Sequence, residues 1–190
     1  MGAYPIPRLF TLREYLRIER AAQTKSEYVD GQIFAMAGGA NEHEMIGVNL
    51  LVLLQNQFKG GQCRARSADF RIAVSKTGPL FYPDVSVICG EPEFLDSSRD
   101  CAMNPVAIFE VLSRSTQKYD RETKTGYYRQ MPSLRHIVLI SQFAVDVEHH
   151  FLAADNAWQV EHLTGPATRL ELRAVPASLV LSDIYERVRL

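Results

Sequence analysis

The chain has 190 residues, of which 46% are hydrophobic and 23% are charged, a composition typical of a globular protein and not of a disordered one. Its 21 basic and 22 acidic residues leave a net charge of −1, which argues against a protein that coats nucleic acid passively. The three cysteines are odd in number and lack paired spacing, which argues against a disulfide scaffold and against a zinc ribbon.

The N-terminal region carries charges from Arg8 onward and lacks the organisation of a secretory signal. No apolar run approaches the roughly 20 residues that cross a bilayer. We therefore expect a cytoplasmic protein in a reducing setting, with no membrane association. At this length, a single domain covering residues 1–190 is the simplest organisation.

The first predicted elements are a helix and a hairpin. Residues 11–22 have apolar side chains at helical spacing, and Thr11 with Glu14 forms a capping box at the start. A β-hairpin is predicted over 27–36, because Asp30-Gly31 between alternating apolar residues is a strong turn signal.

The rest of the chain alternates between predicted helices and strands. A second helix is predicted over 41–58, with a buried face made of Met45, Val48, Leu51, Val52 and Leu54. Strands are predicted near 62–66, 68–74, 83–89, 105–112, 135–141, 143–151, 157–163 and 169–173. Further helices are expected over 118–130 and 181–187. With no repeat or flexible linker, this pattern predicts an α/β fold whose central mixed sheet is flanked by helices.

The most informative residue is Glu110, which lies in the middle of an apolar strand at 105–112. Buried strands are normally continuous runs of Val, Ile, Leu and Phe. An ionised carboxylate in such a strand must be paired, protonated or bound to a cation. Asp84 opens another apolar strand, so the two carboxylates can meet at one end of the sheet if the strands are neighbours.

Two carboxylates that lie close together need a compensating charge. Magnesium is the usual hard cation for this purpose, since it binds one or two carboxylates and accepts oxygens from a phosphate substrate. The residues alone leave another interpretation open. Asp84 would then simply begin a strand after Pro83, and Glu110 would face solvent from an edge strand or join a structural ion pair.

Lys124 lies on the predicted helix that follows the Glu110 strand. It is placed to neutralise charge on a phosphate or to hold the attacking water. It also lies four positions after Asp120, which is the spacing of an ordinary ion pair on a helix surface. Lys118, Arg121 and Tyr128 on the same helix suit contacts with a nucleic-acid backbone and its bases, although tyrosines at this spacing also serve as packing residues.

Glu27 and His43 are two further candidates. Glu27 begins the first hairpin, and His43 lies in the first turn of the second helix. Both are placed to face a site at one end of the sheet, Glu27 as an extra metal ligand and His43 as a phosphate contact. Each residue alone would be interpreted as a surface residue. The sequence around His43 has no second histidine four positions later, so it is not a zincin motif.

At these residues the chain resembles the Uma-two family of endonucleases, within the PD-(D/E)xK restriction-endonuclease-like superfamily. The resemblance covers nearly the whole chain and keeps the order of the elements. The segments that carry it are Glu27-Tyr28-Val29-Asp30-Gly31, Ala37 to His43, Tyr82-Pro83-Asp84-Val85, Asn104 to Ser113, Ser115-Thr116, Tyr119-Asp120, Lys124, Tyr127-Tyr128, Pro132-Ser133-Leu134 and Leu181 to Tyr185.

The resemblance implies a restriction-endonuclease-like core in which Asp84 and Glu110 bind Mg²⁺, with Mn²⁺ as a substitute. The backbone carbonyl of Val111 would complete the ligand shell, and Glu27 would be an additional acidic residue of the site. The family signature expects a lysine two positions after the second acid, where this chain has Leu112. The resemblance therefore assigns the role of that lysine to Lys124.

The first hypothesis from these observations is that the chain is a Mg²⁺-dependent endonuclease that hydrolyses phosphodiester bonds of DNA. The alternative is a catalytically inactive nuclease-fold module for nucleic-acid binding or assembly. Hydrolysis of a small phosphoester is a third hypothesis. Because cleavage of both strands commonly pairs two sites, a homodimer is expected, and the apolar hairpin near 143–163 is a candidate interface.

Overall fold

The computed structural model describes residues 8–36 and 38–190; residues 1–7 and Ala37, which begins one of the family segments, lie outside them. The strands in the described part are β1 (Ser26–Val29), β2 (Gln32–Ala35), β3 (Cys63–Ser67), β4 (Arg71–Ala73), β5 (Leu80–Phe81), β6 (Val85–Cys89), β7 (Cys101–Ala102), β8 (Ala107–Leu112), β9 (His136–Ser141), β10 (Asp146–Leu152), β11 (Trp158–Thr164), β12 (Arg169–Leu172) and β13 (Ala177–Val180). The helices are α1 (Leu12–Ala21), α2 (Asn41–Gln57), α3 (Gln117–Tyr119), a π-helical turn at Asp120–Lys124, α4 (Thr125–Tyr128) and α5 (Leu181–Ile184). Each predicted element is present with shifted boundaries, and β5, β7 and β13 are short strands that the sequence pattern did not indicate.

The central sheet is mixed, as predicted, and has six strands. Their order is β11-β10-β9-β8-β6-β3, and only β8 and β9 run parallel to each other. A second sheet, which was not predicted, has the order β2-β1-β5-β4-β7, and β12 with β13 forms a separate hairpin. None of the helices in the described part combines the length and the apolarity that a membrane span requires.

Strand β8 is buried along its whole length because apolar layers cover both faces of the central sheet. Phe109 and Val111 pack in the layer that contains residues of α2 and α5. Ile108 and Leu112 pack in the opposite layer, together with residues of α4. Since successive side chains of a strand alternate between faces, Glu110 lies on the face of Ile108 and Leu112.

The predicted capping box and hairpin turn are confirmed. The Glu14 N–H donates to Thr11 Oγ1 at 3.3 Å, and the Thr11 N–H donates to Glu14 Oε2 at 2.8 Å. In the hairpin turn, Asp30 and Gly31 have φ angles of 49° and 83°, the left-handed backbone that a type I′ turn requires at both central residues. This turn sets the register of β1 with β2, and so positions Glu27.

The buried face of α2 differs from the predicted one. Ile46, Leu50 and Leu54 are fully buried in the core, whereas Val48 and Val52 are 49% and 52% exposed. The helix carries apolar residues on nearly every side, so its sequence has no single apolar stripe that identifies the inward face. Packing against the sheet selects the face.

Cys63 and Cys89 form a disulfide bond, which corrects the expectation of unpaired, reduced cysteines. The antiparallel register of β3 with β6 places these two residues directly opposite each other. Their separation of 26 residues along the chain does not reveal this, because register is decided by tertiary packing. Cys101 is free and buried.

Two buried histidines on the central sheet form a hydrogen-bonded chain with defined proton positions. The Ala174 N–H donates to His136 Nε2 at 3.1 Å, so the proton of His136 is on Nδ1. His136 Nδ1 lies 2.9 Å from His149 Nε2 and donates to it, which leaves the proton of His149 on Nδ1, 2.9 Å from Glu161 Oε1. Both histidines are therefore neutral, and a further proton on either would break a bond of this chain.

We expect the folded protein to lose stability as the pH falls below about 6, because of this histidine chain. Burial lowers the pKa of His136 to about 3, and it also lowers the pKa of His149. The unfolded chain binds these protons near pH 6.5 while the folded chain does not, so unfolding takes up protons. His136 then contributes a loss of about 1.4 kcal/mol per pH unit between roughly pH 6 and pH 4, and His149 contributes in the same direction.

Urea denaturation at a series of pH values measures this slope. His136→Gln is expected to reduce this slope by the contribution of one proton. Substitution of the exposed His162 on β11 serves as the matched control. An unchanged slope in His136→Gln would contradict the assignment. A loss of stability that the substitution causes equally at every pH does not change this slope.

Candidate active site

Asp84 and Glu110 meet on one face of the central sheet, as predicted. The register pairs Val85 on β6 with Phe109 on β8, so Asp84 comes opposite Glu110 just beyond the end of the pairing. The Val111 N–H donates to Asp84 Oδ2 at 2.7 Å, which ties the two strands together at this point. The two carboxylates therefore belong to one site.

Glu110 is 3% exposed and lies on an inner strand, which excludes the interpretation that it faces solvent from a sheet edge. Its Oε1 atom accepts hydrogen bonds from the Tyr128 hydroxyl at 2.6 Å and from Lys124 Nζ at 3.3 Å. Within the described residues, no hydrogen bond to its Oε2 atom is found. One carboxylate oxygen is thus held by the protein, and the other is left without a protein donor.

Lys124 is the centre of the buried charge cluster. Its ammonium nitrogen lies 2.9 Å from Glu27 Oε1, 3.3 Å from Glu110 Oε1 and 3.5 Å from Asp120 Oδ1. All four side chains are buried, so the pair of Asp120 with Lys124 is not the ordinary surface ion pair that its spacing suggested. The reach of Lys124 back to Glu110, which the resemblance implied, is present in the structure.

Asp120 and Lys124 are the first and last residues of a π-helical turn, and both are buried. The Thr125 N–H donates to the carbonyl of Asp120, five residues earlier, and the Thr125 hydroxyl donates to the same oxygen at 2.9 Å. Such turns are rare and occur mostly as single turns within α-helices, frequently at functional sites. This local widening is absent from a regular α-helix, and the sequence pattern of residues 118–130 predicts only a regular helix.

The cluster has more negative than positive charge. Of the described residues, Glu27, Glu110 and Asp120 surround the Lys124 ammonium, and Asp84 adds a fourth carboxylate near Glu110 and Asp120. Burial raises the pKa of the Glu110 carboxyl well above its usual range, and the other carboxylates raise it further against the opposing effect of Lys124. Burial also raises the pKa of Asp120. A cation bound here would therefore be stabilised electrostatically.

Lys124 itself stays protonated. Burial opposes its charged form, but the carboxylates of Glu110, Glu27 and Asp120 outweigh this effect and raise its pKa. A lysine held in this way is a hydrogen-bond donor and a positive charge, and it is not available as a proton acceptor.

His43 contacts Asp84 from the first turn of α2. Its Nε2 atom lies 2.8 Å from Asp84 Oδ1. Because a carboxylate can only accept, the Nε2 atom carries the proton, and in the neutral ring Nδ1 is an acceptor. Nδ1 is buried and has no partner among the described residues. The structure thus places His43 against a carboxylate of the site, and its contact with a phosphate stays a prediction.

The donor set fits a magnesium ion. Asp84 and the free Oε2 of Glu110 are carboxylate oxygens on adjacent strands, and Mg²⁺ needs only one or two carboxylates besides water. The Val111 carbonyl points to the Asp84 side of β8, since the N–H and C=O of one strand residue share a side. Within residues 8–36 and 38–190, no group of three or more His, Cys, Asp or Glu side chains forms a complete metal cage. A magnesium site that retains several waters does not require one.

The three predicted nucleic-acid contacts on the helical segment have different positions. Lys118 is exposed on α3. Arg121 is half-buried, with Nη1 3.5 Å from Glu148 Oε2, so part of its charge is neutralised by the protein. Tyr128 is fully buried beneath Glu110, so the expectation that it contacts nucleic acid is wrong. It is a packing residue that orients Glu110.

The sequence did not identify Asp120 as part of the site. Its spacing to Lys124 is common on solvated helix faces, and this spacing alone cannot distinguish a buried pair from an exposed one. A usable signal was its position beside Tyr119 in a segment that carries the family resemblance. The burial of Asp120, together with its place near Asp84 and Lys124, adds a fourth carboxylate to the cluster.

Comparisons with known proteins agree with this architecture. The model of the Uma2 family, described as "Putative restriction endonuclease", matches residues 12–182. Two proteins of Synechocystis sp., named "Uncharacterized protein sll1609" and "Uncharacterized protein slr1290", are 37% and 35% identical over 164 and 181 residues. These alignments cover 86% and 95% of this chain and 93% of each relative.

A solved structure is also similar. It is the crystal structure of "a putative nuclease belonging to DUF820" from Anabaena variabilis, with a TM-score of 0.77 and 16% sequence identity. The superposition covers 93% of this chain and 97% of that chain. At this identity the similarity concerns the fold, and it confirms the predicted restriction-endonuclease-like architecture of a mixed sheet flanked by helices.

Proposed function

The chain belongs to the Uma2 family, described as "Putative restriction endonuclease", and from this premise we propose that it is a Mg²⁺-dependent endonuclease acting on DNA. The observation that carries the proposal is the buried cluster in which Asp84 and Glu110 lie beside the protonated Lys124. Stability of the fold alone does not account for such a cluster, because buried ion pairs seldom stabilise a fold more than apolar packing does. A role in phosphodiester hydrolysis accounts for such a cluster at one end of the sheet.

Each residue has a distinct role in the proposed reaction. Asp84, oriented by His43 and the Val111 N–H, and Glu110, oriented by Tyr128, provide oxygens for the metal. A bound Mg²⁺, or Mn²⁺ in its place, supplies Lewis-acid polarisation of the phosphoryl oxygen and a water of lowered pKa.

Lys124 contributes a fixed positive charge that stabilises negative charge developing on the phosphate. It is held by Glu27 and Asp120, so its position is set before a substrate arrives. Glu27 is therefore a residue that positions the lysine, in addition to its proposed role as an acidic group of the site. Lys118, exposed on the preceding turn, is the candidate for contacts with flanking phosphates.

Cleavage of plasmid DNA by the purified protein tests this proposal. We expect nicking or linearisation with Mg²⁺ or Mn²⁺ and none with EDTA. Asp84→Asn, which removes the ligand charge but keeps the size of the side chain, is expected to be inactive and thereby controls for a contaminating nuclease. Equal cleavage by the variant, or cleavage in EDTA, would contradict the proposal. DNA binding without cleavage would favour the catalytically inactive module, and cleavage of a small phosphodiester alone would favour a different substrate.

A further inference from the structure

Helix α2 has an exposed ridge that is apolar in its middle and charged at its ends. The ridge consists of Glu44, Val48, Val52 and Gln55, spaced three or four residues apart along one side of the helix, and it continues to Lys59 in the turn that directly follows the helix. All five residues are exposed, and the two valines are about half exposed. Between Glu44 and Lys59 the sequence contains no charged residue.

This pattern is unusual for a helix with one face in solvent. The opposite face of α2 carries Ile46, Leu50 and Leu54, which are fully buried in the core. A helix that is apolar on both sides is normally covered on both sides. At Gly47 a Cβ atom would meet nothing within 4 Å among the described residues, so there is room for another backbone to approach beside Val48.

We propose that this ridge packs against the same ridge of a second copy of the chain, in an antiparallel pair about a twofold axis. The occupant is indicated by charge complementarity. Glu44 and Lys59 lie equally far from the midpoint between Leu51 and Val52, so a twofold axis at that midpoint places Glu44 of one copy opposite Lys59 of the other. By the same symmetry, Val48 comes opposite Gln55, and the two Val52 side chains lie near the axis.

The exposed hairpin of β10 with β11 is a less suitable interface. Its edge strand β11 exposes Val160, but the next two residues, Glu161 and His162, are exposed and polar. A twofold pairing of this strand about its central residue would bring like charges of Glu161 close together. The α2 ridge has an uncharged centre of about four helical turns, and its end charges attract across the axis.

Sedimentation or light scattering across a concentration series tests the interface directly, whether or not the protein cleaves DNA. We expect the wild type to dimerise and Val48→Glu/Val52→Glu to be monomeric at the same concentrations, because four carboxylates would face one another without partners. Val160→Glu, an equally exposed valine on β11, is the matched control and should remain dimeric. A wild type that is monomeric at every concentration overturns the proposal. A monomeric Val160→Glu beside a dimeric α2 variant overturns it in favour of the hairpin.

A charge exchange provides a test that does not depend on the folding of the valine variant. Glu44→Lys and Lys59→Glu are exposed changes, and each should weaken dimerisation by about tenfold through repulsion at two symmetric contacts. The double variant Glu44→Lys/Lys59→Glu should recover the wild-type dissociation constant. Failure of the double variant to recover would contradict the antiparallel arrangement.

Discussion

Replacement of Lys124 with methionine is expected to destabilise the protein by about 3–5 kcal/mol and to abolish DNA cleavage. Methionine keeps most of the aliphatic volume, so the change isolates the loss of the charge. Without the ammonium, the carboxylates of Glu27, Glu110 and Asp120 remain buried with no positive partner among the described residues. Breaking a buried ion pair from one side has an effect of this size, because it leaves uncompensated charge.

The loss corresponds to a decrease of roughly 10 °C in the melting temperature of a chain of this length. Lys118→Met, an exposed change on the same helical segment, is the control and should leave the melting temperature unchanged. The deficit of Lys124→Met should become smaller as the pH falls, because protonation of the carboxylates removes the repulsion. A fully stable Lys124→Met at neutral pH would show that the three carboxylates do not depend on this lysine.

Replacement of Glu110 with glutamine is expected to abolish cleavage as well, but, unlike replacement of Lys124, it should not reduce the stability of the fold. Glutamine has the same shape and still offers an oxygen to the Tyr128 hydroxyl, while it removes one negative charge from a cluster that has too many. The melting temperature should therefore be equal to or above that of the wild type. Loss of a metal-ligand charge should decrease cleavage by about a thousandfold or more, since metal catalysis contributes several kcal/mol.

The same variant separates metal binding from folding. Mg²⁺ should raise the melting temperature of the wild type, because a ligand that binds only the folded state stabilises it, and should raise that of Glu110→Gln much less. Glu122→Gln, an exposed carboxylate on the π-helical turn, is the control for both assays. An identical response of wild type and Glu110→Gln to Mg²⁺ would remove Glu110 from the proposed metal site.

The sequence predicted those parts of this site that follow from local chemistry and from the order of the strands. Glu110 was anomalous in an apolar strand, and Asp84 began the other candidate strand, so convergence on one sheet face followed if the strands were neighbours. The structure confirms this, since the Val111 N–H binds Asp84. The position of Lys124 came from the resemblance and not from its spacing, because that spacing also describes an ordinary surface pair.

Other features were decided only when the chain was packed. Pattern alone could not choose the inward face of α2, because both sides of that helix are apolar, and the predicted face was wrong at Val48 and Val52. The pairing of Cys63 with Cys89 depends on the register of two strands that are distant in the sequence. Tyr128 was predicted to contact nucleic acid and instead lies buried beneath Glu110, where its hydroxyl binds one carboxylate oxygen while the other has no hydrogen-bond donor among the described residues.

The sequence by itself thus determined the fold class and the order of the elements. It also identified the acidic residues that need a partner because a buried strand cannot hold them alone. These follow from periodicity, turn chemistry and the cost of burying charge, which act over short stretches of chain. Tertiary structure alone decided how the charges combine. Register brought Asp84 to Glu110, and packing of the helical segment buried Asp120 and Lys124 beside Glu110, because contacts between distant segments are not encoded in any local pattern.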